Sequence, residues 1–154
     1  MVHPIPEGYT TVTPYLTISG AAKAIEFYKQ AFGAEELMRM ESPDGRIGHA
    51  EIRIGDSRIM MSDEWPEMDA QGPAHYGGTP IAVLLYVEDV DAVVERALTA
   101  GATVLQPVTD HFYGDRMGTI RDPFGHKWHI GTHIEDVPPD EMKKRAEAMF
   151  SQGS

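Results

Sequence analysis

The sequence predicts an α+β fold: two tandem βαβββ modules forming a curved mixed sheet around a cavity, with the helices on the outer face. Three observations predict it. Two amphipathic segments each close on Gly-Ala, the same series of strand-like runs follows each, and the copies keep a nearly constant spacing. Ile18 matches Val87 at an offset of 69 residues, and Gly33-Ala34 matches Gly101-Ala102 at 68. Repetition of a whole supersecondary unit outweighs any single motif. A four-stranded sheet with a helix on one face leaves its other face bare. Two such sheets solve this by turning their bare faces toward a shared space, where a ligand would sit.

Each element has its own reason. Residues 1–10, with Pro4, Pro6 and Gly8, read as an extended lead-in. Thr11–Ile18 is a β-rich run. Ser19 stands where an N-cap belongs, and Ala21, Ala24, Ile25, Tyr28 and Phe32 recur at helical spacing before Gly33. Glu36–Glu41, His49–Ile54 and Arg58–Ser62 read as strands, joined by turns at Ser42-Pro43-Asp44-Gly45 and Gly55-Asp56. Asp63–Thr79 is a polar connector. The second module starts with Ile81–Val87, and Asp89 caps a helix whose stripe is Val90, Val93, Val94, Ala97 and Leu98. Thr103–Gln106, Met117–Arg121 and Trp128–Thr132 follow as strands, and Val137–Phe150 as a last helix. The domain so delimited runs 11–134, with modules at 11–63 and 79–134, and 137–154 form a C-terminal helix and tail.

Composition excludes several functions. A net charge of −11 argues against nucleic acid or an anionic membrane as partner. The absence of cysteine excludes disulfides, thiolate nucleophiles and Cys-bound zinc. No apolar run approaches the ~18 residues of a membrane span, and no basic-then-apolar leader is visible, so the cytoplasm is the expected location. Gly72–Gly78 lacks the lysine of a phosphate loop.

Strand alternation predicts the lining of the cavity. On the bare face of the first sheet stand Thr13, Tyr15, Thr17, His49, Glu51, Arg53, Met60 and Ser62; on that of the second, Ala82, Leu84, Tyr86, Met117, Thr119, Arg121 and His129. His49 and Glu51 act as a base with its orienting carboxylate or as two metal ligands, or line a solvated face with Arg53. Met38, Met40, Met60, Met61 and Met117 make either a soft pocket or core filler. Tyr113-Gly114-Asp115-Arg116 is a glycine-containing loop, where Arg116 or Arg121 clamps an anionic group or pairs with Asp115 to fix the loop. His126 and Lys127 are expected exposed. Trp65, Met68 and His75-Tyr76 cover either the cavity or the core. His129 and His133, about 13 Å apart on a strand, are no helical zinc pair. The ligand-binding set is therefore Tyr15, His49, Glu51, Met60, Tyr86, Tyr113, Arg116, Arg121 and His129, with Glu51, His49 and His129 the catalytic candidates.

Ala24-Ile25-Glu26-Phe27-Tyr28-Lys29-Gln30-Ala31-Phe32-Gly33 resembles the FYxxxxG first helix of the glyoxalase/bleomycin-resistance/dioxygenase (vicinal oxygen chelate) superfamily. Asp122-Pro123-Phe124-Gly125 resembles its DPxG turn, and the run from Tyr113 to Gly125 is similar to the PhnB-like branch. The resemblance implies a small-molecule cavity, homodimerisation, and in metal-dependent members an ion held from the first and last strand of each module. Those positions here are Thr13, Met60, Ala82 or a neighbour, and His129, of which His129 alone is a ligand of the usual kind. No cofactor is therefore expected, a divalent metal at His129 remaining the alternative. The expected function is a binding protein that sequesters or carries an organic ligand. The alternative is a glyoxalase-type lyase or isomerase, with a non-standard metal set or acid–base chemistry from Glu51, His49 and His129.

Overall fold

A computed structural model describes residues 2–152; Met1, Gly153 and Ser154, at the ends of the predicted lead-in and tail, lie outside the described residues. The first module comprises β1 (Tyr15–Ile18), α1 (Ala21–Phe32), β2 (Glu35–Glu41), β3 (Ile47–Ile54) and β4 (Ser57–Asp63). The connector carries a 3₁₀ turn at Pro66–Met68 and a one-turn helix α2 (Pro73–Tyr76). The second module comprises β5 (Ala82–Tyr86), α3 (Val90–Thr99), β6 (Thr103–Asp110), β7 (Asp115–Arg121) and β8 (Lys127–His133), and α4 (Pro139–Gln152) ends the chain.

Each module makes one four-stranded mixed sheet, in the orders β1-β4-β3-β2 and β5-β8-β7-β6. The βαβββ repeat is thus borne out strand for strand. The first strand of each lies parallel to the last, and the other pairs are antiparallel. Register lays Tyr15, Met60, Glu51 and Met38 in one row across the first sheet. The matching row of the second is Leu84, His129, Thr119 and Gln106.

Three local differences have physical causes. β1 begins at Tyr15 rather than Thr11, because Pro14 has no N–H to donate to a ladder. β6 runs past Gln106 to Asp110: it is an edge strand, where Pro107 costs no inner hydrogen bond, and two register shifts absorb it. Ser19 does not cap α1. Gly20 takes that place in the left-handed region (φ 92°), and the Asp63 carboxylate accepts from the N–H groups of Gly20 and Ala21 at 3.0 and 2.9 Å. Its other oxygen accepts from Ile47 N–H at 2.7 Å, so one side chain ties helix, β3 and β4 together. Asp89 caps α3 as expected, accepting from Ala92 N–H at 3.1 Å.

The helices cover one face of each sheet and also pack on each other. α1 is buried over a wide arc, Ala21, Ala24, Ile25, Phe27, Tyr28 and Ala31, because it meets both modules. Tyr28 and Phe32 lie 5.2 and 4.9 Å (ring centroids) from Trp128 of β8, and Phe27 lies 6.4 Å from Phe124. Each fully buried large side chain contributes about 1.5–3 kcal/mol, so this shared core joins the halves. By contrast α4 buries no residue. Arg145 holds it, donating to Phe112 O at 3.0 Å and pairing with Glu135 at 2.9 Å.

Candidate functional site

The bare face of the first sheet carries a continuous hydrogen-bonded chain. β3 alternates, so Ala50, Ile52 and Ile54 are buried against the helix side while His49, Glu51 and Arg53 stand opposite. His49 Nε2 lies 2.9 Å from a Glu51 carboxylate oxygen, and His49 Nδ1 lies 3.0 Å from the Tyr15 hydroxyl of β1. The other Glu51 oxygen accepts from the hydroxyl of Tyr9, which the lead-in brings over the sheet. The Arg58 guanidinium lies 5.0 Å from the Tyr9 ring centroid. A carboxylate can only accept, so Nε2 carries the imidazole proton and Nδ1 accepts from Tyr15. The bond from Tyr9, and after it that from His49, holds the Glu51 carboxyl below its ordinary range despite burial. Met60 and Met38 flank Glu51 in the row, and Met40 pairs with His49. The polar chain thus sits in a thioether-rich surround.

The second sheet carries two smaller groups. His129 Nδ1 lies 2.7 Å from the hydroxyl of buried Thr119. Farther along, the carboxylate of buried Asp115 accepts from Tyr86 OH at 2.7 Å and lies 2.7 Å from His133 Nδ1, whose Nε2 lies 2.7 Å from Asp136. With carboxylates at both nitrogens, His133 is best served as an imidazolium, and its pKa is raised, first by Asp115 and then by Asp136. The sign follows: the contribution is fully present below the ordinary value of 6.5 and is lost as pH rises through the raised folded value. Wild-type protein should therefore exceed His133→Gln in melting temperature most at acidic pH. A gap that widened on the alkaline side would contradict the cluster.

The two sequence motifs meet in space. Asp122 of the DPFG turn accepts from Phe124 N–H and His126 N–H on one oxygen, and from Tyr28 OH at 2.6 Å and Trp128 Nε1–H at 2.9 Å on the other. Residues 10–130 match the family described as the Glyoxalase/Bleomycin resistance protein/Dioxygenase superfamily. The chain belongs to this superfamily. It is 44% identical over 145 residues to the Mycobacterium tuberculosis protein Rv0887c, covering 92% of this chain and 84% of that one. TioX from Micromonospora sp. ML1 is similar in structure at a TM-score of 0.65 and 27% identity, over 81% of this chain and 99% of that one. The PhnB protein from Bacillus cereus shares the fold at a TM-score of 0.64 and 17% identity, over 80% and 99% of the two chains.

The superfamily's metal positions do not fit an ion here. The positions the resemblance assigns, Thr13, Met60, Ala82 or a neighbour, and His129, supply a hydroxyl, a thioether, an apolar side chain and one imidazole, and a divalent ion needs at least three ligands of matching hardness. Among the described residues no three His, Asp or Glu side chains cluster as a cation site.

Other candidates fall apart from this chain. Arg116 pairs with Asp91 and Asp110 at 2.8 and 2.9 Å, and Asp115 turns instead to Tyr86 and His133, so the expected Asp115–Arg116 pair does not form. Tyr113 stacks on His111 and reaches Met117 Sδ at 3.8 Å. Arg121 is exposed at the end of β7. His126 is half-buried, not exposed, its Nε2 lying 3.0 Å from Thr17 O of the other module. Trp65 is half-buried under Arg46, with its Nε1–H on Ile47 O, while Met68 and Tyr76 are exposed. Hollows of about 230, 280 and 1060 Å³ lie between the modules. The largest is lined by Tyr86, Arg96 and His133, and none of the three by His49, Glu51, Arg121 or His129. Tyr9 and His133 were missed as site residues, while Thr119 was expected on the bare face but given no partner. Tyr9 sits in an aperiodic lead-in with no sequence signal; Thr119 and His133 have one, a place opposite a candidate across an antiparallel pair.

Proposed function

We propose that the protein binds a small organic molecule, without a metal or other cofactor, on the bare face of its first sheet, and that it works in the cytoplasm. One observation carries the reading: the hydrogen-bonding chain from Tyr15 to Tyr9 lies among Met38, Met40 and Met60, a polar anchor in a soft apolar surround. Uncovered apolar side chains on both bare faces (Tyr15, Met40, Leu84, Tyr86) support a homodimer in which the chains enclose the bound molecule. Protein stripped with EDTA should still be stabilised in thermal melts by members of a panel of aromatic compounds, and Met60→Lys should weaken the best about tenfold, or ~1.4 kcal/mol. Light scattering should give twice the chain mass. Stabilisation that returns only when zinc or manganese is added back would overturn the metal-free reading.

A further inference from the structure

We infer that this face selects acidic hydroxyl compounds, phenols and enols, and takes up their proton as they bind. The inference rests on the small-molecule reading and names the ligand class. The chain of bonds has a direction. Both Glu51 oxygens are filled, by Tyr9 O–H and by His49 Nε2–H, so His49 is left to accept at Nδ1, where the Tyr15 hydroxyl stands at 3.0 Å. Of the four residues Tyr15 is the most open, at 51% exposure, while Tyr9, His49 and Glu51 are half-buried. An arriving group therefore meets the chain at the Tyr15 oxygen, which accepts no hydrogen bond among the described residues.

The transfer balances within the site. The ligand O–H bond breaks and its electron pair stays on the ligand oxygen. That proton passes to the Tyr15 oxygen as the original Tyr15 proton passes to His49 Nδ1. The product is an imidazolium bonded to the Glu51 carboxylate and a ligand oxyanion accepting from Tyr15 O–H, with no other reactant. It is a carboxylate–imidazole–hydroxyl relay like that of a serine hydrolase, with a phenol as the hydroxyl and the two imidazole nitrogens exchanging roles.

Acidity sets the class. Simple alcohols are too weakly acidic to protonate an imidazole. Carboxylic acids are already ionised near neutral pH and would bring an uncompensated negative charge beside Glu51 on a chain of net charge −11. A phenol or enol acidified by electron-withdrawing groups to near the imidazole's own range carries its own compensating proton, so the charge of the site is unchanged, whereas an ordinary phenol, at about 10 like tyrosine, keeps its proton. The remaining groups agree. Met38 and Met40 from β2 and Met60 from β4 are neutral and suit a flat unsaturated body, and Arg58 and Tyr9 serve Glu51.

The probe is 4-nitrophenol, whose anion is yellow and whose neutral form is not, mixed with the full chain at a pH where the free probe is mostly neutral. The bound probe should show an anion-to-neutral ratio about tenfold above the free one, one unit of acidity. Tyr15→Phe, at an exposed position that folding does not depend on, should lose the yellow band. His49→Gln should bind the probe but leave it colourless, an effect a purely structural histidine would not have. The inference fails if wild type binds the probe in neutral form, if it does not bind it, or if either variant yields the same band. 4-Nitroanisole, which has no proton to give, separates the two readings: its binding alongside a neutral 4-nitrophenol leaves the small-molecule site standing and removes only the proton transfer.

Discussion

Asp122→Ala should lower the unfolding free energy by about 3–5 kcal/mol, because it leaves several donors without an acceptor in a buried site. Asp122 is 3% exposed and accepts four hydrogen bonds, two from its own turn and two from Tyr28 and Trp128. Each unsatisfied buried donor costs about 1–3 kcal/mol. The turn amides can find water at the surface, but the Tyr28 and Trp128 donors cannot, since both rings are fully buried. At about 2–4 °C per kcal/mol for a chain of this size, the melting temperature should fall by roughly 10 °C. Asp122→Asn keeps one acceptor oxygen and should lie between. A double-mutant cycle with Tyr28→Phe should show coupling of about 1 kcal/mol or more, because that bond is already gone in the single variant. An Asp122→Ala protein melting within roughly 2 °C of wild type would refute a joint that links the modules.

That joint also explains how much was legible in the sequence. Phe27-Tyr28 and Asp122-Pro123-Phe124-Gly125 are 94 residues apart between Tyr28 and Asp122, and nothing in periodicity says that they touch. Their presence in a doubled module still fixes the fold, because the helix stripes and strand alternation are set by burial, which the apolar pattern records directly. The faces of β1 and β3 came out as alternation requires, and that of β4 as far as Met61, which placed Tyr15, His49, Glu51 and Met60 together, whereas Ser62, expected open on the bare face, is buried. Side-chain partners were a different matter. Arg116 had three nearby acids to choose from, and strand register, not spacing along the chain, gave it Asp110 directly across the β6–β7 pair. Register likewise put His133 opposite Asp115. The proposed pocket of His49, Glu51, Arg121 and His129 needed the relative placement of the two sheets. The shared helix core sets that placement, and no hydrogen bond among the described residues joins His49 or Glu51 to His129 or Arg121.

The second large effect is expected at Gly114, and its size depends on what gives way. Gly114 has φ 98°, where L side chains are strained, and an added Cβ would lie 2.2 Å from Glu135 O and 3.2 Å from Val137. The same glycine's carbonyl accepts from Ile134 N–H and Glu135 N–H at 2.8 and 3.1 Å. Alanine therefore both strains the turn and pushes away the segment that the turn holds. β7 cannot move in response, since Asp115, Met117, Thr119 and Ile120 are buried, whereas α4 buries nothing. The cheapest relief is release of residues 134–152 from the 111–114 turn, taking with it the bond from Arg145 to Phe112 O. Strain of about 1–3 kcal/mol and two lost backbone bonds give a cost of about 2–4 kcal/mol. Gly114→Ala should thus speed hydrogen exchange at the Ile134 and Glu135 amides by roughly 30- to 1000-fold, and expose α4 to proteolysis. The main melting transition should move far less than in Asp122→Ala, because the modules lose no core contact. Exchange at those two amides as slow as in wild type would mean that the turn absorbs the methyl group and that α4 is not docked through it.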